Sequence, residues 1–211
     1  MRELSLHILD ALENSLEAGA TLVELVIEED LAADWLTITI RDDGRGMSED
    51  QLGRINDPFF TTRSTRHVGL GIPLFAAAAE RCDGSLTVTS QLGKGTTLQA
   101  TFRHSHIDRA PLGDITGTLL ATILQGSCDL HYIHRVDAHL KDGVHPKDGA
   151  HPGGEGAFEF ETADIRARLG DIPLTHPEVR GWLRDFIDKG ETSLRQGQET
   201  QSDTIDPTRQ T

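Results

Sequence analysis

Asp42-Asp43-Gly44-Arg45-Gly46-Met47 is the stretch on which the reading of this chain turns. It follows Trp35 to Arg41, where apolar and polar residues alternate as in a half-buried strand. The segment is therefore a Gly-rich turn that receives a carboxylate from the end of a strand. A carboxylate in that place can accept a hydrogen bond from the amino group of adenine, and the contact separates adenine from guanine. Gly44 and Gly46 let the backbone approach a flat base, because no Cβ stands in the way. Asp42, Gly44, Gly46 and Met47 are accordingly candidate binding positions. Taken alone, the same residues also fit an ordinary turn after a strand.

Working toward the N-terminus, Leu22 to Glu28 alternates in the same way and predicts a second strand. Leu4, Ile8, Leu12 and Leu16 recur at helical spacing, so residues 2–18 form an amphipathic helix that Gly19 stops. Asp10 and Asn14 lie four residues apart on one face of it. A carboxamide oxygen suits Mg²⁺ beside phosphates. A carboxylate one turn earlier is placed to polarise an attacking nucleophile, which makes Asp10 a candidate general base. The pair also fits the solvent face of such a helix.

Working toward the C-terminus, Asp57-Pro58-Phe59-Phe60-Thr61-Thr62-Arg63 precedes Gly69-Leu70-Gly71. The paired aromatics anchor one end of a loop, and the glycines open a helix over Leu70 to Arg81 whose free N–H groups suit phosphate oxygens. Leu86 to Ser90 and Thr96 to Phe102 form a hairpin around Gly93-Lys94-Gly95. The order of elements predicts a two-layer α/β sandwich on a mixed or antiparallel sheet.

Pro111 marks a boundary. Beyond it Asp114 caps a helix running to about Leu124. Asp129 to Val136 and Gly156 to Glu161 read as paired strands, with Phe158 and Phe160 on one face. Residues 137–155, rich in His, Gly, Pro and Lys, read as a flexible insertion. Ala163 to Leu169 and His176 to Lys189 read as helices, and 191–211 as a disordered tail. The predicted division is an N-terminal domain over 1–105, a small α+β extension over 106–190, and the tail.

The 211 residues carry a formal charge of −14, shared evenly between the two halves. No basic face is concealed, which argues against nucleic acid as a partner. Cys82 and Cys128 have no metal or redox spacing and read as buried thiols. No apolar run is long enough to cross a bilayer, so the expectation is a cytoplasmic protein without a membrane partner.

The motif order resembles the superfamily of gyrase, the heat-shock chaperone ATPases, histidine kinases and MutL, whose ATP-binding module is the Bergerat fold. Asn14 matches its asparagine box, Asp42 to Gly46 the first glycine box, and Asp57 to Arg63 the phenylalanine box. Gly69 to Gly71 matches the second glycine box, and Gly95-Thr96 the last. The resemblance spans about residues 1–103. It implies ATP and Mg²⁺ as cofactors, with Asn14 on the metal. The nucleotide would be held by Asn14, Asp42, Gly44, Gly46, Met47, Thr62, Arg63, Gly69, Leu70, Gly71 and Thr96. The later boxes look like histidine kinases, whereas "LENSLEAGAT" is closer to MutL. In the MutL pattern the base is a glutamate, and here that position is the shorter Asp10. His67 and Val68 replace the usual Gly-Thr of the second glycine box.

The segment Ser105-His106-Ile107-Asp108-Arg109-Ala110-Pro111-Leu112 is similar to a kinase phosphoacceptor motif. Its acidic residue is one place late, and Pro111 disfavours a preceding helix. His106 is the candidate acceptor, against the plainer reading of a joining loop. His131, His134, His139, His145 and His151 read as solvated imidazoles rather than metal ligands. The leading functional expectation is a stand-alone histidine-kinase-like protein acting on a protein partner such as a response regulator, with a homodimer possible. The alternatives are a nucleotide-gated, anti-sigma-like binder with little catalysis, and a slow MutL-like ATPase.

Overall fold

The computed structural model describes residues 3–55, 71–126, 128–137 and 156–202. Helix α1 (Leu4–Glu17) buries Leu4, Ile8, Ala11 and Leu12 along one stripe, as its spacing predicts. Its end closes by the paired bonds Gly19 N–H to Leu16 O and Ala20 N–H to Ser15 O, at 3.0 and 3.2 Å. Those bonds satisfy carbonyls that the helix itself cannot. Strands β1 (Leu22–Asp30) and β2 (Trp35–Asp42) pair antiparallel from Val23↔Asp42 to Asp30↔Trp35. Every second residue, from Val23 to Ile27 and from Leu36 to Ile40, is buried toward the helices.

Helix α2 (Glu49–Gly53) was not anticipated. Its signal is Ser48 with Gln51, whose side chains exchange bonds with each other's backbone N–H as a capping box. Helix α3 (Gly71–Glu80) places Phe75 and Ala79 under the sheet. Strands β3 (Ser85–Gln91) and β4 (Gly95–Arg103) form the expected hairpin, and β4 lies against β2 from Asp42↔Thr96 to Trp35↔Arg103.

Helix α4 (Ile115–Leu124) starts where expected, with the Asp114 carboxylate accepting from Gly117 N–H at 2.7 Å. It is apolar on most of its surface and is covered accordingly, with Ile115, Leu119 and Ile123 at 2% exposure or less. Strand β5 (Asp129–Asp137) then pairs parallel with β1 from Leu22↔Asp129 to Asp30↔Asp137, and β6 (Ala157–Glu161) pairs antiparallel with β5. The result is one mixed sheet in the order β3-β4-β2-β1-β5-β6, with helices on one face. This α/β sandwich is the expected fold class. The extension after residue 105 does not build a sheet of its own. Its two strands complete the edge of β1, which would otherwise present unpaired backbone groups.

Helix α5 (Thr162–Leu169) is tied to the start of β5 through Thr162 and Arg166, which both bond the Asp129 carboxylate. Helix α6 (Pro177–Ser202) runs further than expected. The polar composition from residue 191 suggests a stop, yet Val179, Leu183, Ile187, Glu191 and Leu194 continue one buried stripe. Gly190 is there for proximity, because a Cβ on it would stand 2.3 Å from the Phe158 ring. The flexible insertion falls mostly on residues 138–155, outside the described residues.

Candidate functional site

The site grows from the last residue of β2. Asp42 is 9% exposed, and its carboxylate is held at both oxygens. Ser15 Oγ donates to Oδ2 at 2.9 Å, while the N–H groups of Gly44 and Thr96 donate to Oδ1 at 2.9 and 3.2 Å. A carboxylate offers about four lone-pair positions, so Oδ2 keeps capacity for one more donor. Its direction is fixed by three different elements: α1, the turn after β2, and the start of β4.

The glycines around it are required by close approach. Gly46 has φ 64°, and a Cβ there would stand 2.0 Å from the Gln91 carbonyl oxygen. Gly95 has φ 91°, and a Cβ there would stand 1.9 Å from the Asp42 carbonyl oxygen. Both demands, a left-handed backbone and no room, select glycine. Ser90 ties the two loops together, since its hydroxyl accepts from Met47 N–H and donates to Gly95 O, each at 2.9 Å. Gly93 N–H adds a bond to Arg45 O at 2.7 Å.

On the α1 side, Arg45 N–H bonds Ala18 O at 3.0 Å and its guanidinium bonds Glu17 O at 2.9 Å. Asp43 is bonded to the start of β1 instead. The Thr21 hydroxyl and the N–H groups of Leu22 and Thr21 converge on its carboxylate and hold its pKa below the ordinary value. Asn14 immediately precedes Ser15, so the helix that pins Asp42 also carries the candidate metal ligand. Asp10, half-buried one turn earlier, meets the start of α3. A Cβ on Gly71 would stand 3.3 Å from Asp10 Cβ and 3.5 Å from its Oδ2. Asp10, Asn14, Asp42, Gly44, Gly46, Met47, Gly71 and Thr96 therefore belong to one end of the sheet and the helices over it. Thr62, Arg63, Gly69 and Leu70 lie outside the described residues.

His106 is not brought to this site. It sits in a turn after β4, where its Nδ1 accepts from Asp108 N–H at 3.1 Å and its carbonyl accepts from Arg109 N–H. Thr96 of β4 pairs with Asp42, and the strand ends at Arg103, roughly 24 Å further along at about 3.4 Å per residue. The turn that holds His106 follows that far end. His131 and His134 are not solvated imidazoles. His131 lies between Glu24 and Glu159 at 3.3 and 2.9 Å, and His134 is 2% exposed between Glu29 and Glu191. No cluster of three or more metal-ligating side chains occurs among the described residues. No helix among them is long and apolar enough to cross a membrane.

Ser15 and Ser90 are the positions that sequence reasoning missed. Ser15 interrupts the apolar stripe of α1 at a buried place, and a buried hydroxyl needs a partner. That was the available signal.

A carboxylate presented by a central strand, framed by obligatory glycines and a helix-borne asparagine, is the layout of a nucleotide-binding α/β ATPase domain. Comparison with known proteins agrees. Residues 2–106 match the model of the histidine kinase-, DNA gyrase B- and HSP90-like ATPases, and this segment belongs to that family. Membership of the family implies ATP binding. The chain is 33% identical to sporulation kinase E of Bacillus subtilis over 103 residues, covering 48% of this chain and 13% of that protein. Sporulation kinase C of the same organism is 29% identical over 97 residues, covering 46% of this chain and 22% of that protein. The alignment with sensor kinase CckA of Brucella abortus is longer, at 29% identity over 162 residues, 71% of this chain and 17% of that protein. The chain thus spans under a quarter of the length of these relatives, and what it shares with them is a kinase-type ATPase domain.

Proposed function

We propose that the chain binds Mg-ATP at the Asp42 end of the sheet and serves as a signalling kinase-type ATPase acting on a protein partner. The observation that carries this reading is the Asp42 carboxylate, which is buried, triply held and still open to one donor. The exocyclic amino group of adenine is such a donor. Asn14 would hold Mg²⁺ against the phosphates, and Asp10 would accept the proton of the attacking group. The phosphate would go to another molecule rather than to His106, which follows the end of β4 remote from Asp42. The sensor-kinase relatives make a response regulator the first partner to test.

The experiment is incubation of the purified chain with γ-³²P-ATP, alone and with candidate response regulators. Label on the partner, absent with Asn14→Ala, supports the reading. ATP binding without any transfer favours the alternative of a nucleotide-gated binder, a reading that the shortened base Asp10 also supports. Unchanged Mg-ATP affinity in both Asp42→Asn and Asn14→Ala would sink the site assignment altogether.

A further inference from the structure

At the end of the sheet away from Asp42, five titratable side chains form a chain under α6. Glu191 of α6 accepts from the Tyr132 hydroxyl at 2.7 Å and meets His134 Nδ1 at 3.0 Å. His134 Nε2 meets Glu29 Oε1 at 3.0 Å, and the other Glu29 oxygen meets His104 Nε2 at 2.6 Å. His134 and Glu191 are 2% and 6% exposed. The chain thus links α6, β5, β1 and the segment after β4.

We propose that this chain is a protonation-dependent latch: His134, as an imidazolium between two carboxylates, fastens α6 to the sheet, and loss of its proton frees the helix.

The geometry requires the proton. Carboxylates only accept hydrogen bonds, and both ring nitrogens of His134 face carboxylate oxygens. A neutral imidazole donates from one nitrogen only. The other would then set its lone pair against a carboxylate at the same distance, in a buried place where such a mismatch is poorly screened. Other charged groups on the elements packed here do not compensate. On α6, Asp188 is bonded to Thr116 of α4. On β6, Glu159 and Glu161 turn to the opposite face, around His131, and on β1 and β5 the pair Glu28 and Arg135 does the same. Arg184 and Lys189 of α6 are exposed.

Burial alone would lower the pKa of His134, but its bonds to Glu191 and Glu29 outweigh burial and raise it from 6.5 to about 9. Burial works against ionised Glu29 as well, yet hydrogen bonds from His104 and His134 lower it from 4.5 to about 2. The histidine contribution is complete below pH 6.5 and is lost as the pH rises toward about 9. The glutamate contribution is complete above pH 4.5 and is lost as the pH falls toward about 2. The latch is therefore closed in mildly acidic solution and loosens through neutral and alkaline pH. What it releases is the stripe Val179, Leu183, Ile187 and Leu194, together with the rings of Phe158 and Phe160 that Phe186 covers.

Trypsin reads the latch in the full chain, because Arg184 and Lys189 lie on the helix it holds. Cleavage there, normalised to an unstructured peptide with the same bonds, should accelerate at least tenfold from pH 6.5 to 9.5. Cleavage at Arg41 in β2 should stay slow. In Glu191→Gln the amide still accepts from Tyr132 but carries no charge, so the pH ratio should fall to about one. A ratio near one in the wild type overturns the proposal, as does a wild-type ratio retained in Glu191→Gln. Equal acceleration at Arg41 also overturns it, since that is unfolding of the whole domain. Should Glu191→Gln not fold, ¹⁵N imidazole spectra of the wild type still decide. Both nitrogens of His134 protonated at pH 7 support the latch, and a neutral ring there ends it.

Discussion

The two ends of this sheet are built from different materials. At the Asp42 end, order comes from backbone and hydroxyl groups: the N–H of Gly44 and Thr96, and the Ser15 and Ser90 side chains. At the Glu191 end, order comes from titratable side chains linked in series, Glu191, His134, Glu29 and His104. A backbone donor keeps its place and its charge state whatever enters, so the first end suits repeated occupancy by a ligand. Such a chain holds firmly but depends on the proton of His134, so the second end suits a joint between segments.

Four measurements press on this contrast. The largest effect should come from His134→Ala, which leaves the buried Glu191 and half-buried Glu29 carboxylates facing each other. Loss of one member of a buried ion pair costs about 3–5 kcal/mol, read as a fall in the thermal unfolding midpoint. Next is Asp42→Asn, which removes a charge-assisted acceptor worth roughly 1.5–3 kcal/mol. ATP affinity by calorimetry should fall about 10- to 100-fold, with the unfolding midpoint nearly unchanged. An equal loss of stability and affinity would erase the distinction between the two ends. Gly190→Ala forces a methyl into the Phe158 ring and should cost about 1–3 kcal/mol of stability, without touching ATP affinity. The smallest change should be Asp114→Ala, which removes one helix cap, worth roughly 1 kcal/mol, and belongs to neither end.

The sequence exposed the first end far better than the second. Asp42, Gly46 and Gly95 are legible because a tight approach admits few residue types, so their spacing carries information. The helices and the hairpin are legible from periodicity, and Asp114 from its position before an apolar run. The joint was not legible, because it is assembled from residues on β1, β5 and α6 that lie far apart in the chain. His134 stands in a histidine-rich stretch that looks solvated, and Glu191 stands in a polar stretch that looks disordered. Only tertiary packing turns them inward. Ser15 was overlooked because a small polar residue on a buried helical stripe is easily passed over as neutral.

The parallel pairing of β1 with β5 has a consequence for how the chain acquires its shape. Leu22 meets Asp129 and Asp30 meets Asp137, partners separated by more than a hundred positions. Pairings of that span close late, because the entropy of the intervening loop is lost before the contacts form. During synthesis β1, already joined to β2, must wait with one side open until α4 and β5 have emerged. A fragment ending near residue 106 would keep that side open permanently and offer it to any extended neighbour. The segment bearing the family motifs thus ends before the strand that covers the open side of β1.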